Sequence, residues 1–112
     1  MTLQEIIAKL NLTVHTVPQD FSTLIPRGGY ASDLLSCVMA GAQPGDLWVT
    51  LQAHMNVVAV AALREVAAVI ITENAQPEAD VIAKANEQQV ILLATSEPSY
   101  QVAGKLWELG IR

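Results

Sequence analysis

Three short apolar runs dominate the hydrophobic pattern: Asp46-Leu-Trp-Val-Thr-Leu51, Ala68-Val-Ile-Ile-Thr72 and Val90-Ile-Leu-Leu-Ala94. Each begins 22 residues after the one before it, and a helix-capable segment follows every run. A strand, a turn, a helix and a return loop fill that interval, so the rhythm predicts right-handed βαβ units on a parallel sheet. Such a sheet gathers the carboxyl ends of its strands, and the loops leaving them, at one edge where ligands are usually held.

The segments between the runs supply the helices. Asn56 is placed as N-cap of a helix whose body, Val57 to Val66, is apolar on nearly every side except at Arg64 and Glu65. A helix of that kind needs cover on more than one side, which the sheet and a second copy of the chain would provide. Pro77 to Glu87 is amphipathic, with Val81, Ile82 and Ala85 inward and Pro77 at the first helical position. A last helix runs from Pro98 through Trp107, with Gly110 and Ile111 set for a Schellman closure against Leu106.

The first third is less regular. Thr2-Leu-Gln-Glu5 is a capping box that starts a helix lined by Leu3, Ile6, Ile7 and Leu10 and stopped at Asn11. Leu12 to Val17 alternates as a first strand would, and a short strand is placed around Thr23–Pro26. Asp33 to Ala40 reads as a helix with Ser32 as N-cap and Gly41 as its end, and Gln43-Pro-Gly45 turns the chain into the first rhythmic strand. The expected architecture is one α/β domain over residues 1–112. It is a three-layer sandwich with a mostly parallel sheet of four to five strands and helices on both faces.

Composition removes several classes of function. Six basic against eleven acidic residues leave a net charge of −5, a sign that repels phosphate backbones, and no basic stripe interrupts it, so no nucleic acid is expected. No run approaches the roughly 20 apolar residues of a membrane span, and the amino-terminal residues are not those of a signal peptide. The single cysteine, Cys37, cannot pair internally, which suits a reducing cytoplasm. Set among Leu34, Val38 and Met39, it is expected to be buried. Trp48 and Trp107 are expected to be core or interface anchors.

Catalytic templates find no match. Gly104-Lys105 lies inside a helix without the loop of a phosphate-binding motif, and no GxGxxG or GxSxG is present. Asp46 stands at the amino end of its strand, where a phosphoacceptor would need the carboxyl end, and one cysteine with two distant histidines forms no zinc site. No catalytic residue, metal or cofactor is therefore expected. What remains is the edge where the runs end. It collects His54 and Asn56, then Thr72, Glu73 and Asn74, then Thr95 and Ser96, hydrogen-bonding groups that could hold an anion at helix starts. Several of these are equally the caps and turn residues that any βα loop uses. Arg27, beside Gly28-Gly29, is a separate candidate for a carboxylate or phosphate.

Gly29-Tyr-Ala-Ser-Asp-Leu-Leu-Ser36, Gly45-Asp-Leu-Trp-Val-Thr50, Ala68-Val-Ile-Ile-Thr72 and Ser99-Tyr-Gln-Val-Ala-Gly-Lys-Leu106 together resemble DRTGG domains, over about Arg27 to Ile111. The resemblance extends to the amino-terminal domain of HPr kinase/phosphorylase, whose phosphate loop belongs to a separate domain, so it implies no kinase activity. Where relatives show Asp-Arg after the first rhythmic strand this chain has Ala53-His54, and where they show a glycine pair after the next it has Glu73-Asn74. The resemblance implies a regulatory or assembly module. Two expectations follow: a non-catalytic cytoplasmic module that acts as a homodimer or with a protein partner, or a sensor of a nucleotide or other small anion at the strand ends.

Overall fold

A computed structural model describes residues 1–112. The chain runs α1 (Leu3–Leu10), β1 (Thr13–Val14), a 3-10 turn (Phe21–Thr23), β2 (Gly28–Ala31), α2 (Leu35–Gly41), β3 (Asp46–Thr50), α3 (Met55–Arg64), β4 (Ala68–Ile71), α4 (Ala79–Gln88), β5 (Leu92–Ala94) and α5 (Ser99–Glu108). The rhythmic runs become β3, β4 and β5. They lie parallel, with Trp48 beside Val69 and Val69 beside Leu92. The sheet order is β1-β5-β4-β3-β2, with only β1 antiparallel.

That order decides where the helices go. From β2 to β5 every step moves the same way across the sheet, so right-handed crossovers place α2, α3 and α4 on one face. Val38, Val57, Val58, Val81 and Ala85 accordingly pack on Trp48, Val69 and Leu92. The other face would be bare without the two terminal helices. Leu3, Ile6 and Leu10 of α1, with Val102 and Leu106 of α5, cover Val49, Ile70 and Leu93 there. Helices on both faces and a mostly parallel sheet are as the pattern predicts.

The ends of several elements follow their chemistry. In the capping box Thr2 takes the Glu5 amide while the Glu5 carboxylate takes that of Thr2. Ile111 N–H reaches Leu106 C=O at 3.0 Å and Gly110 N–H reaches Trp107 C=O at 3.0 Å, the Schellman closure expected for α5. Helices α1, α3 and α4 close with Asn11, Glu65 and Gln89 in the left-handed conformation.

Other expectations are corrected. The irregular stretch holds its strand at Gly28–Ala31 and not around Thr23–Pro26, where the chain makes the 3-10 turn and then extends. The glycine pair hides this strand from propensity, and close approach accounts for the first glycine: a Cβ on Gly28 would stand 3.2 Å from the Asp46 carboxylate and 3.5 Å from the Arg112 backbone. The first strand keeps two residues of the six expected, although His15 N–H still bonds Leu92 C=O and Thr16 Oγ1 accepts from the Leu92 amide. Helix α2 begins after Leu34, because Ser32 Oγ takes the Leu34 amide and Asp33 is engaged elsewhere. Pro77 is buried just ahead of α4, which starts at Ala79. Cys37 is exposed: α2 lies on the rim of the sheet and buries only Val38 fully. Trp48 is sealed in the core and donates to Ser32 C=O at 2.9 Å, whereas Trp107 is 61% exposed with Arg112 stacked 5.1 Å from its ring.

Candidate functional site

The carboxyl edge of β3, β4 and β5 carries most of the candidate residues, and hydrogen bonding divides them. At the β3 exit, Asp33 Oδ1 accepts from Thr50 Oγ1 and from the Leu51 amide, both at 2.8 Å, and Thr50 Oγ1 takes the Gln52 amide. These bonds turn the chain early. Helix α3 therefore starts at Met55 with His54 as its N-cap, without a side-chain bond, while Asn56 lies exposed within the first turn. Asp33 organises this exit, a role that its position at a helix start does not reveal.

The β4 and β5 exits are stitched together. Glu73 N–H donates to Glu97 C=O at 2.9 Å and Asn74 N–H to Thr95 C=O at 3.2 Å. The Thr72 hydroxyl, wholly buried, is bonded to that of Ser99, and Glu73 Oε2 accepts from the Ser99 amide at 3.0 Å, capping α5. Glu73 and Asn74 both hold left-handed backbone, with φ of 61° and 59°. Two glycines would enter that conformation without strain, a physical reason for the glycine pair that the family resemblance implies at this turn. In this chain the Glu73 side chain serves the helix start.

An open site exists where β1 meets β5. A sheet that winds in one direction has no switch point among β3, β4 and β5, so their loops close on one another. The reversal comes at β1, which runs antiparallel with Thr13 beside Ala94. A cleft of about 520 Å³ lies there, and Asn74, Thr95 and Ser96 line it. They are joined by Lys9, Leu10 and Asn11 from the end of α1, by Thr13 and His15 from β1 and its extension, and by Gln76, Ala94, Glu97 and Lys105. Lys105 Nζ is 2.6 Å from Glu97 Oε1, an ion pair that holds the lysine at the rim. None of the seven carboxyl-edge candidates signals the contributions of Lys9, His15 and Lys105, because the β1–β5 pairing is long-range.

The fold therefore unites three of the eight candidates. His54 and Asn56 stand outside this cleft on the β3 side, and Thr72 and Glu73 are committed to Ser99. Arg27 is at the amino edge of the sheet, opposite the others: its N–H donates to Gly45 C=O and its side chain lies along Gly45.

A second surface feature is the outer face of α3. Met55, Val58, Ala59, Ala62 and Leu63 form an apolar groove edged by Lys84 and Gln88 of α4, and Leu63 is 68% exposed. Arg64 takes no charge to this face. Its guanidinium folds back onto Ala42 C=O, with donors at 3.2 and 2.9 Å.

No curated protein matches the chain. Among solved structures, it resembles the CBS and DRTGG domains of the regulatory region of Clostridium perfringens pyrophosphatase, complexed with its activator diadenosine tetraphosphate, with a TM-score of 0.74 and 14% identity. The superposition covers 92% of this chain and 44% of that one, so the chain spans less than half the length of its structural relative. The DRTGG domain family model matches residues 35–109, from the first residue of α2 to the C-cap of α5. Because that match takes in more than half of the chain, including β3, β4, β5 and helices α2 to α5, the chain belongs to the DRTGG domain family.

Proposed function

We propose that this chain is a non-catalytic regulatory module acting in the cytoplasm as a homodimer. The observation that carries the reading is the exposed apolar face of α3. Met55 and Leu63 are 38% and 68% exposed at the two ends of one groove. The helix's only cation is turned away onto Ala42, which leaves a surface with an uncharged centre and a polar rim of Lys84 and Gln88, as interface cores are built. Two copies related by a two-fold axis would bury α3 against α3, each patch meeting itself. Membership of the DRTGG family and the regulatory setting of the pyrophosphatase relative support a regulatory role. The unpaired, exposed Cys37 suits a reducing compartment. The hydroxyls of Thr72 and Ser99 spend their hydrogen bonds on each other, which favours a structural over a catalytic use.

Light scattering on a sizing column tests the dimer. The expected result is a mass of two chains at micromolar concentration and of one chain for Leu63→Lys, which sets a charge into the apolar patch at its most exposed side chain. A single-chain mass for the parent protein overturns the reading.

A second reading, a sensor of a small anionic ligand, is favoured by the cleft between β1 and β5, where two lysines and a histidine converge. It is compatible with the first, since the cleft and the α3 groove share no residue.

A further inference from the structure

We infer that the β1–β5 cleft takes a phosphorylated polyol of the sugar-phosphate class, and that a nucleobase contributes nothing to its recognition. The inference rests on the sensor reading and deepens it. It starts from charge. In a chain of net charge −5 with three lysines, Lys9 and Lys105 both line this one cleft, His15 stands with them, and of eleven acidic residues only Glu97 does. The local balance is thus opposite in sign to that of the whole chain, which concentrates anions at this place. At the end of α1, Ala8 C=O accepts from Asn11 N–H and Ile7 C=O from Leu12 N–H, so these two carbonyls are already engaged.

The remaining groups narrow the class. Ligand pockets are usually lined mostly by apolar and aromatic side chains. Here only Leu10 and Ala94 of twelve lining residues are hydrophobic, and no Phe, Tyr or Trp ring is among them. A purine would find only the His15 imidazole to stack on, not the platform of Phe, Tyr or Trp rings that holds a base independently of sequence. Amides and hydroxyls instead suit a ligand that both donates and accepts around its periphery. Glu97 completes the argument. Its carboxylate, 2.6 Å from Lys105 Nζ, is a poor neighbour for a run of phosphates but a good acceptor for a sugar hydroxyl. One phosphate therefore sits toward Lys9 and the free side of Lys105, and hydroxyls reach Glu97, Asn74 and Gln76.

Isothermal titration of the full chain at low salt decides the matter, with ribose 5-phosphate, glucose 6-phosphate and glycerol 3-phosphate as probes beside AMP, pyrophosphate and ribose. At least one of the three phosphorylated polyols is expected to bind. Ribose is expected to give no heat, and AMP to bind no tighter than ribose 5-phosphate. Lys9→Ala and Lys105→Ala should each weaken binding by at least about tenfold, the loss of a hydrogen bond between charged groups. Arg112→Ala, which removes an equal charge from an exposed side chain outside both the cleft and the α3 groove, should change nothing. Both lysines are exposed, so these variants keep the fold. If AMP or pyrophosphate binds more than tenfold tighter than every polyol, with the lysine dependence kept, the ligand class is overturned and the sensor reading stands. If binding ignores Lys9 and Lys105, the site is overturned. If nothing in the panel binds, both the class and the sensor reading fall, and the dimer reading is untouched.

Discussion

Three helices end on a left-handed residue that is not glycine, and two of these ends give a quantitative test of the local physics. Glu65 and Gln89 hold φ of 55° and 59° at the ends of α3 and α4. An L-residue with a long side chain pays about 1–2 kcal/mol to sit there. Glycine avoids that penalty but gives up about 0.5–1 kcal/mol through the greater freedom of its unfolded chain. The closures are made by backbone alone, Val66 N–H to Ala61 C=O at 3.3 Å and Val90 N–H to Ala85 C=O at 2.8 Å, so no side-chain bond is lost on substitution. Glu65→Gly and Gln89→Gly are therefore each expected to stabilise the fold by about 0.5–1 kcal/mol. Glu73, with φ of 61°, carries the same strain, but its carboxylate caps α5 at Ser99. A cap of that kind is worth about 1 kcal/mol, so Glu73→Gly should come out within about 0.5 kcal/mol of the parent. Urea unfolding followed by tryptophan fluorescence measures all three, because Trp48 is sealed in the core. Protein concentration must be held constant, since a dimer makes apparent stability depend on it, and an unchanged m-value shows that only stability moved. A loss of stability in Glu65→Gly and Gln89→Gly would refute the strain argument. A gain in Glu73→Gly equal to theirs would show that the carboxylate does not cap α5.

Two further predictions concern packing and pH. A methyl group at Gly41 would stand 2.6 Å from the Tyr30 ring, and Tyr30 is held by its hydroxyl bond to Cys37 C=O at 3.1 Å. Gly41→Ala should therefore cost about 1–3 kcal/mol in urea unfolding, and a double-mutant cycle with Tyr30→Ala should remove that cost. The backbone hydrogen bond from Thr2, with the bond from its hydroxyl, holds the Glu5 carboxyl below its ordinary 4.5. A carboxyl depressed on folding adds stability above its unfolded pKa and loses it as pH falls through the folded one. Glu5→Gln should therefore be the less stable protein at neutral pH, and the two melting curves should draw together on the acid side of pH 4.5. A gap that stays constant with pH would show that the charge is irrelevant to the cap.

Sequence reasoning succeeds here where the signal is local. The capping box at Thr2 and Glu5, the Schellman end at Gly110 and the amphipathic pattern that marks Val81 and Ala85 as inward all lie within one or two turns. It falls short where a residue's partner is distant. Asp33 looks like the start of a helix but serves Thr50 and Leu51 on the next strand. Gly28 and Gly29 look like a turn but pair as a strand with Asp46 and Leu47 of β3, and Asp46 and the Arg112 backbone crowd the space that a side chain at Gly28 would fill. Of the candidate site, Asn74, Thr95 and Ser96 belong to the cleft, Thr72 and Glu73 hold the loops together, and Arg27 faces the opposite edge.

The chain by itself determined the parallel βα core. Three evenly spaced apolar runs joined by helix-length crossovers of one hand can be buried only as parallel strands between helices, while their order across the sheet, β5-β4-β3, was decided by the tertiary structure. Tertiary structure alone decided the cleft. Lys9 and Lys105 come from opposite ends of the chain and meet because the bare second face of a one-way sheet must be covered by the two terminal helices, while β1 returns antiparallel against β5. No local pattern encodes that meeting, since its cause is the area left uncovered by the rest of the fold.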